Sequence, residues 1–533
     1  MRITKHFVTV GKRRVHYLRA GRGPAVAMLH ACPVSAKVMR PLMPIFGERF
    51  TCLAFDMPGF GLSDLLPTAN PSIEDFADAL AETLDALGIE QVATYGRHTG
   101  ASIAVEFAAR HPQRTAMALA DGYAVFTKRY SDAQLEAYLE PITPVWDGGH
   151  LLRLWMRYRD QHAFWPWNNQ TGAARSDADI PDADFLHRGV VEMLEAGNDY
   201  RVGYAAPFRH RALEVLRDLK VPVCFGNRPG DSMYRTRPLY PASAWQEIVP
   251  REFEAATRFE HDILLKYPAR GTPPPAARCA ALPGRTTTEY VENLLVRSTG
   301  DLRDTPLVVI PHVPGSSALY DELVMRVGNA LAVDPPGHGE SDPLPGNPQS
   351  PRALASSIEK ILNTMRIDEV RIYGHGTGAA IAVELAHLLI DRAKQVVLDA
   401  PAFLRPEDGL CPEEYAPSVT PVWDGSHWLR AWNHVRDSEL WWPWQNRTHR
   451  NVRKVEPRID PQALTLRVRE AMKHPESYQP AWREALAWPW RERIRGLDRK
   501  LRIIAAPQDV FAHLTPDAMR VEDNAASRAM ALQ

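Results

Sequence analysis

Only five cysteines occur in 533 residues, and Cys32, Cys52, Cys224, Cys279 and Cys411 show neither metal-ligand spacing nor an even count for a disulfide framework. Most of them sit in apolar runs, where a thiol serves as a small buried hydrophobe. Excess charge is also lacking. The net charge is −1 and no basic block stands apart from acids, so neither a nucleic-acid nor a membrane-surface partner is expected. Even the arginine-rich run 491–502 is interleaved with acids and reads as a solvated helix face. No apolar run is long enough to cross a bilayer, and Met1-Arg2-Ile3-Thr4-Lys5-His6 holds no apolar signal segment. The expectation is a soluble, cytoplasmic protein without a metal or cofactor. What remains is ordinary globular composition, 45% hydrophobic and 24% charged, at a length that suits two domains with a core each.

Strands and helices alternate from the start. Residues 6–10 and 14–19, separated by Gly11-Lys12-Arg13, read as an opening hairpin. Residues 25–30 and 50–55 are continuous apolar runs, suited to strands covered on both faces. Helices are expected over 35–46, 73–87 and 102–110, and further strands over 91–94 and 116–120. This alternation predicts an α/β fold with a doubly wound, mainly parallel sheet. It stops after Phe126. Residues 127–215 are helical and rich in tryptophan and arginine, and 221–226 restores a strand. A second, irregular insertion is expected over 232–276, then a last strand over 277–282 and a helix over 287–296.

The order then repeats. A second unit is expected from 304 to 533, with strands over 307–311, 370–373 and 395–398, a helix over 357–365, and a helical insertion over 402–495. Asp56-Met57-Pro58-Gly59-Phe60-Gly61-Leu62-Ser63-Asp64 matches Asp334-Pro335-Pro336-Gly337-His338-Gly339-Glu340-Ser341-Asp342. Thr143-Pro144-Val145-Trp146-Asp147-Gly148 matches Thr420-Pro421-Val422-Trp423-Asp424-Gly425, and Trp165-Pro166-Trp167 matches Trp442-Pro443-Trp444. This is duplication of a whole domain. The second copy reads as trimmed, with no opening hairpin and no final strand after 501–505. Its two bare sheet edges would need covering, so it is expected to pack on the first unit or on another chain. Residues 527–533 read as a frayed tail.

Between strand 91–94 and helix 102–110 lies Gly96-Arg97-His98-Thr99-Gly100, repeated as Gly374-His375-Gly376-Thr377-Gly378. With Leu29-His30-Ala31-Cys32-Pro33 and the turn 56–64, in this order and spacing, the chain resembles the capped branch of the α/β-hydrolase superfamily. The resemblance covers nearly all of both halves. It implies two tandem hydrolase-like units of 1–300 and 304–533, each with a helical cap after the sixth strand. It also places His98 at the raised nucleophile position of the first unit and Gly376, without a side chain, at that of the second.

The family's chemistry requires a nucleophile, a histidine base, an orienting acid and two backbone oxyanion donors. By position the donors are Ala31 and Thr99, and the acid is Asp231, in a turn longer than the family's. The segment after the expected last strand, Leu282-Pro283-Gly284-Arg285-Thr286-Thr287, contains no histidine. Nucleophile and base of the usual triad are both missing. The second unit, with Asp509 resembling the acid but Gly376 at the elbow, is expected to be inactive. Imidazole titrates near neutrality, so His98 oriented by Asp231 serves as base or nucleophile, or else is a relic. Cys32 has no evident base beside it and reads as a packing residue, and His30 as a backbone brace. Arg97, Trp146, His150, Trp155, Arg159, Trp165 and Trp167 are the candidate substrate-binding residues, aromatic faces with cationic heads that suit an apolar body with a carboxylate. The same residues also suit clamping the insertion to the core, with arginines paired to acids such as Asp147 and Asp160. Two functions stay open: a cofactor-independent enzyme of hydrolase or lyase type acting on a small carbonyl compound or ester, and a non-catalytic relative that binds a ligand or scaffolds a partner.

Overall fold

The computed structural model describes residues 1–217, 219–276, 279–404, 410–497 and 501–514. The first sheet contains β1 (Thr4–Val10), β2 (Arg13–Gly21), β3 (Ala25–Leu29), β4 (Thr51–Phe55), β5 (Val92–Arg97), β6 (Thr115–Asp121), β7 (Val223–Asn227) and β8 (Trp245–Ile248). Its order is β1-β2-β4-β3-β5-β6-β7-β8. The β1–β2 hairpin is antiparallel and joins β4 antiparallel through β2, and every other pairing is parallel. All residues of β3 and β4 are buried, as strands covered on both faces must be.

Helix Ile73–Ala86 begins at a reciprocal cap, with Asp75 N donating to Ser72 Oγ and Ser72 N donating to Asp75 Oδ2. Such a cap contributes about 1 kcal/mol and fixes where the helix starts. The helix expected over 35–46 is instead a 3-10 turn, Ala36–Met39, and a short helix, Met43–Phe46. Pro41 falls between them and interrupts the ladder because it has no N–H to donate. Helix Thr99–Arg110 packs on β5 and β6. Between β6 and β7 the chain inserts helices Asp132–Tyr138, Gly149–Ala163, Ala183–Ala196, Tyr200–Arg209 and Ala212–Val215.

The end of the first unit differs from expectation. Residues 232–276 are not an irregular insertion: they contain β8, the eighth strand of the sheet, and helix Phe253–Leu264. Residues 279–282 form no strand, and Ala277 and Arg278 lie outside the described residues. Nor is 287–296 a helix. It is a hairpin of β9 (Thr287–Val291) and β10 (Leu294–Thr299), turned by Glu292 and Asn293 at φ 52° and 67°. Positive φ at both central residues is the turn whose twist suits a two-residue hairpin.

That hairpin opens the second sheet. With β11 (Leu307–Ile310), β12 (Ala330–Val333), β13 (Val370–His375), β14 (Ala393–Asp399) and β15 (Leu501–Ile504), the order is β15-β14-β13-β11-β12-β10-β9. The second copy therefore keeps the flank it was expected to lack. One hydrogen bond marks the equivalence: His16 N donates to Ser63 Oγ at 2.9 Å, and Leu295 N to Ser341 Oγ at 2.9 Å. Among the described residues no strand follows β15, and 527–533 lies outside them. The chain divides into two compact units, one of Met1–Thr143 with Arg153–Ala280 and one of Pro144–Leu152 with the residues from Ala281 onward. The boundary thus falls at 280/281, ahead of the hairpin, rather than at 300–304.

Candidate active site

His98 occupies the turn between β5 and helix Thr99–Arg110 with φ 47° and ψ −106°. A residue with a side chain in such a conformation costs on the order of 1–3 kcal/mol, which the surroundings must offset. Here His98 N donates to Asp121 O at 2.9 Å and Ser102 N donates to His98 O at 3.1 Å. Gly122, at φ +70°, makes room for the ring: a Cβ there would lie 2.6 Å from His98 Cδ2. No pattern in the sequence marks Gly122 as part of this site.

Asp231 reaches the ring from the turn after β7. His98 Nε2 lies 2.7 Å from Asp231 Oδ2, and Asp231 Oδ1 accepts from Met233 N at 2.7 Å. Burial lowers the His98 pKa, but the Asp231 charge and hydrogen bond raise it further, so it lies above the ordinary histidine value. Burial raises the Asp231 carboxyl and the His98 pairing lowers it by more, leaving it well below the usual carboxylate range. Each partner thus favours the charged form of the other.

The long turn carrying Asp231 has an anchor. Arg228 Nε donates to Asp121 Oδ2 at 2.7 Å and Arg228 Nη2 to Glu260 Oε1 at 2.6 Å. Arg97 does not point freely to solvent, because its Nε lies 3.0 Å from the same Asp121 Oδ2. Burial and the neighbouring Asp121 push Glu260 up to about 7 despite Arg228.

Ala31 and Thr99 lie at the ends of β3 and the turn, and among the described residues neither backbone N–H has an acceptor. His30 braces this loop, its Nδ1 3.0 Å from Ala31 O and its Nε2 accepting from Met57 N at 3.0 Å. Cys32 is buried, and burial pushes its thiol up to about 12, so it is no thiolate nucleophile.

The candidate substrate residues separate. Trp146 and His150 fall in Pro144–Leu152, which belongs to the second compact unit and not to the one that carries His98. Trp155 is fully buried. Trp167 donates its indole N–H to Tyr138 O at 2.8 Å, and Arg159 pairs with Asp160 Oδ1 at 3.4 Å. Trp165 comes nearest: with Asp231, Arg175, Tyr234, Arg235 and Arg251 it lines a cavity of about 290 Å³ that His98 itself does not line. Arg251 follows β8, where the family histidine is expected, and no histidine lies in 249–252. His162, on helix Gly149–Ala163, was also missed. Burial and the charges of His98 and Arg97 push it down to about 4, and its Nε2 has no partner among the described residues.

At the second elbow, Gly376 has φ +56°, and a Cβ there would lie 2.6 Å from His312 Nδ1. Thr377 N points at that same nitrogen at 3.3 Å. An imidazole fills the space where nucleophile and oxyanion would meet. Among the described residues one group could hold a metal: atoms of Glu74, Glu106 and His210 lie within 4.8 Å of one another. It contains an ion pair, His210 Nε2 to Glu106 Oε2 at 3.0 Å, and no residue of the His98 site.

The family profile described as alpha/beta hydrolase fold matches residues 24–182 and 305–443. A putative non-heme haloperoxidase of Mycobacterium phage D29 is 36% identical over 107 residues, 20% of this chain and 38% of that protein. Haloalkane dehalogenase 2 of Mycobacterium bovis is 30% identical over 101 residues, 19% of this chain and 35% of that protein. The chain thus spans about a third of the length of the curated relatives it matches. Among solved structures, an E-2-(acetamidomethylene)succinate hydrolase is 18% identical with a TM-score of 0.38, covering 50% of this chain and 99% of that one.

Proposed function

The chain belongs to the alpha/beta hydrolase fold family, and from that premise we propose that its first unit is a cofactor-independent hydrolase- or lyase-type enzyme for a small carbonyl compound or ester, with His98 as its reactive group. The observation that carries this reading is the 2.7 Å pairing of His98 Nε2 with Asp231 Oδ2 on the strained elbow. Asp231 takes the Nε2 side and leaves Nδ1 for substrate. In its neutral form the ring keeps its proton on Nε2, toward Asp231, and Nδ1 abstracts a proton from an activated carbon or from water. Negative charge then develops on the substrate oxygen, to be met by the N–H groups of Ala31 and Thr99. Attack by Nδ1 on an ester carbonyl would give an acyl-imidazole by the same geometry, with the alcohol leaving and water releasing the acid. The helical insertion serves as the lid and Trp165 as an aromatic wall.

The test is a turnover screen on esters, thioesters, lactones and β-diketones, with wild type and His98→Ala in parallel. Wild type is expected to turn over at least one class, and His98→Ala to lose about 100-fold or more. Equal rates from both would remove His98 from the chemistry. A second reading, non-catalytic ligand binding, is favoured by the absence of a histidine in 249–252, directly after β8. Saturable binding without turnover, unaffected by His98→Ala, would support it.

A further inference from the structure

The second unit, although Gly376 leaves its elbow bare, holds a cavity of about 550 Å³ lined by its own residues. An imidazole still reaches the acid after β15, from the residue before the elbow rather than from the elbow itself. His375 Nε2 lies 2.9 Å from Asp509 Oδ2, and Tyr320 Oη lies 2.7 Å from His375 Nδ1. Asp509 is set as Asp231 is, with Asp509 N donating to Ala506 O at 2.8 Å and Phe511 N donating to Asp509 Oδ1 at 3.0 Å.

Beside the cavity several guanidinium groups share one carboxylate. Glu439, buried, faces three guanidinium groups: Arg467 Nη1 at 2.7 Å, Arg458 Nη2 at 3.4 Å and Arg453 Nη1 at 3.4 Å. Arg458 and Arg467 both line the cavity. The acids that line it are engaged: Asp509 by His375, Asp399 by the Tyr373 hydroxyl at 2.8 Å, and Asp460 by Ala463 N at 2.8 Å. The walls are aromatic, with Tyr415, Trp482 and Phe511 among them. His434 also faces the cavity, buried, with Nδ1 2.7 Å from Tyr478 Oη and with Nε2 lacking any partner among the described residues. A buried polar atom without a partner in such a place is made for a ligand atom. Guanidinium offers the planar fork that a carboxylate matches, and the volume suits a small organic molecule.

We propose that the second unit is a binding site for a small aromatic carboxylate, its ring against Tyr415, Trp482 and Phe511 and its carboxylate on the Arg467 and Arg458 guanidinium groups. The site is separate from the His98 chemistry and does not depend on it. With His312 filling the elbow space, it binds without triad catalysis.

Isothermal titration calorimetry on the full chain tests this with phenylacetate, 1-naphthylacetate and indole-3-acetate, each against its primary amide. At least one acid is expected to show saturable binding, with its amide at least about tenfold weaker. Arg467→Gln weakens that acid about tenfold or more, while His98→Ala leaves it unchanged. Where Arg467→Gln does not fold, Arg458→Gln, on a half-exposed side chain, is read in its place, with loss of affinity again expected. No saturable binding by any acid below about 10 mM overturns the proposal. So does equal binding of acid and amide, or an affinity that survives the arginine substitution, which would move the ligand elsewhere.

Discussion

His98 is a side chain whose protonation and position are both set by neighbours that can be changed singly. Its pKa is raised, so the stabilisation it gains from Asp231 is fully present below the ordinary histidine value and is lost as pH rises through the raised one. Asp231 is lowered, so its share is present above the ordinary carboxylate value and is lost only as pH falls through the depressed one. A base, however, works in its neutral form. The pH–rate profile of the first unit is expected to rise along a limb with its midpoint above about 6.5. Asp231→Asn removes the opposing charge and leaves burial in control, so the midpoint is expected to fall to 6.5 or lower; an unmoved limb would detach Asp231 from the reacting imidazole. Position is tested at Gly122. Gly122→Ala puts a methyl 2.6 Å from His98 Cδ2 on a backbone at φ +70°. Turnover is expected to drop about tenfold or more, because a catalytic group displaced by a fraction of an ångström loses its alignment. A variant with full rates would show that the ring tolerates being moved.

In each helical insertion one glutamate bonds the serine that follows the first parallel strand of its sheet, and the two copies shift that carboxyl in opposite directions. Glu192, on helix Ala183–Ala196, accepts from Ser35 N, and Glu470, on helix Pro461–Ala471, accepts from Ser316 Oγ. Burial pushes Glu192 up to about 7 against the pull of Lys37. Glu470 is equally buried, but Lys473 and Arg469 outweigh burial and hold it down to about 2. A carboxyl raised on folding stabilises fully below its unfolded pKa and loses that stability as pH rises through the folded one. Thermal stability of the first unit is therefore expected to decline between about pH 4.5 and 7, by on the order of 2–3 kcal/mol from this group. Glu192→Gln keeps an acceptor for Ser35 N and is expected to flatten that decline in calorimetric scans; an equally steep decline in the variant would assign it to other groups. The elements themselves were legible where burial writes a strong pattern. The runs at β3 and β4, the glycine-bounded elbow and the matching turns at 56–64 and 334–342 led directly to the doubly wound sheets. They also led to the pairing of His98 with Asp231, 133 residues apart in the chain. Some short strands escaped. β8 has no fully buried residue to mark a period of two, and β9 with β10 turns on Glu292-Asn293, which lacks the glycine that usually announces a hairpin. His162, Gly122 and Arg228 were invisible because their roles come from neighbours far along the chain.

At the scale of the whole molecule, one domain has been written twice and its polar centre rebuilt in one copy. Both copies bring an imidazole to the carboxylate that follows the seventh strand, His98 to Asp231 and His375 to Asp509. They do so from adjacent positions of the same turn. Moving the imidazole back by one residue frees the elbow for glycine, and His312 then occupies the space above it. The rest of the architecture was kept, including the hairpin that the sequence alone assigns to no sheet. This locates the start of the second unit physically. In β10, residues 296–299 pair antiparallel with Ala330–Val333 of β12, so a fragment beginning at 304 would leave β12 as a bare edge. β12 is buried throughout, and an apolar edge without a partner strand pairs with other chains. Residues 304–533 expressed alone are accordingly expected to aggregate or to show weakened, non-cooperative thermal unfolding. A fragment starting at 281 in the same buffer is expected to be the more soluble and the more cooperative of the two, as read by light scattering and circular dichroism melts. If the shorter fragment matched the longer one in both, the hairpin would be an ornament on the second sheet rather than the flank that closes it.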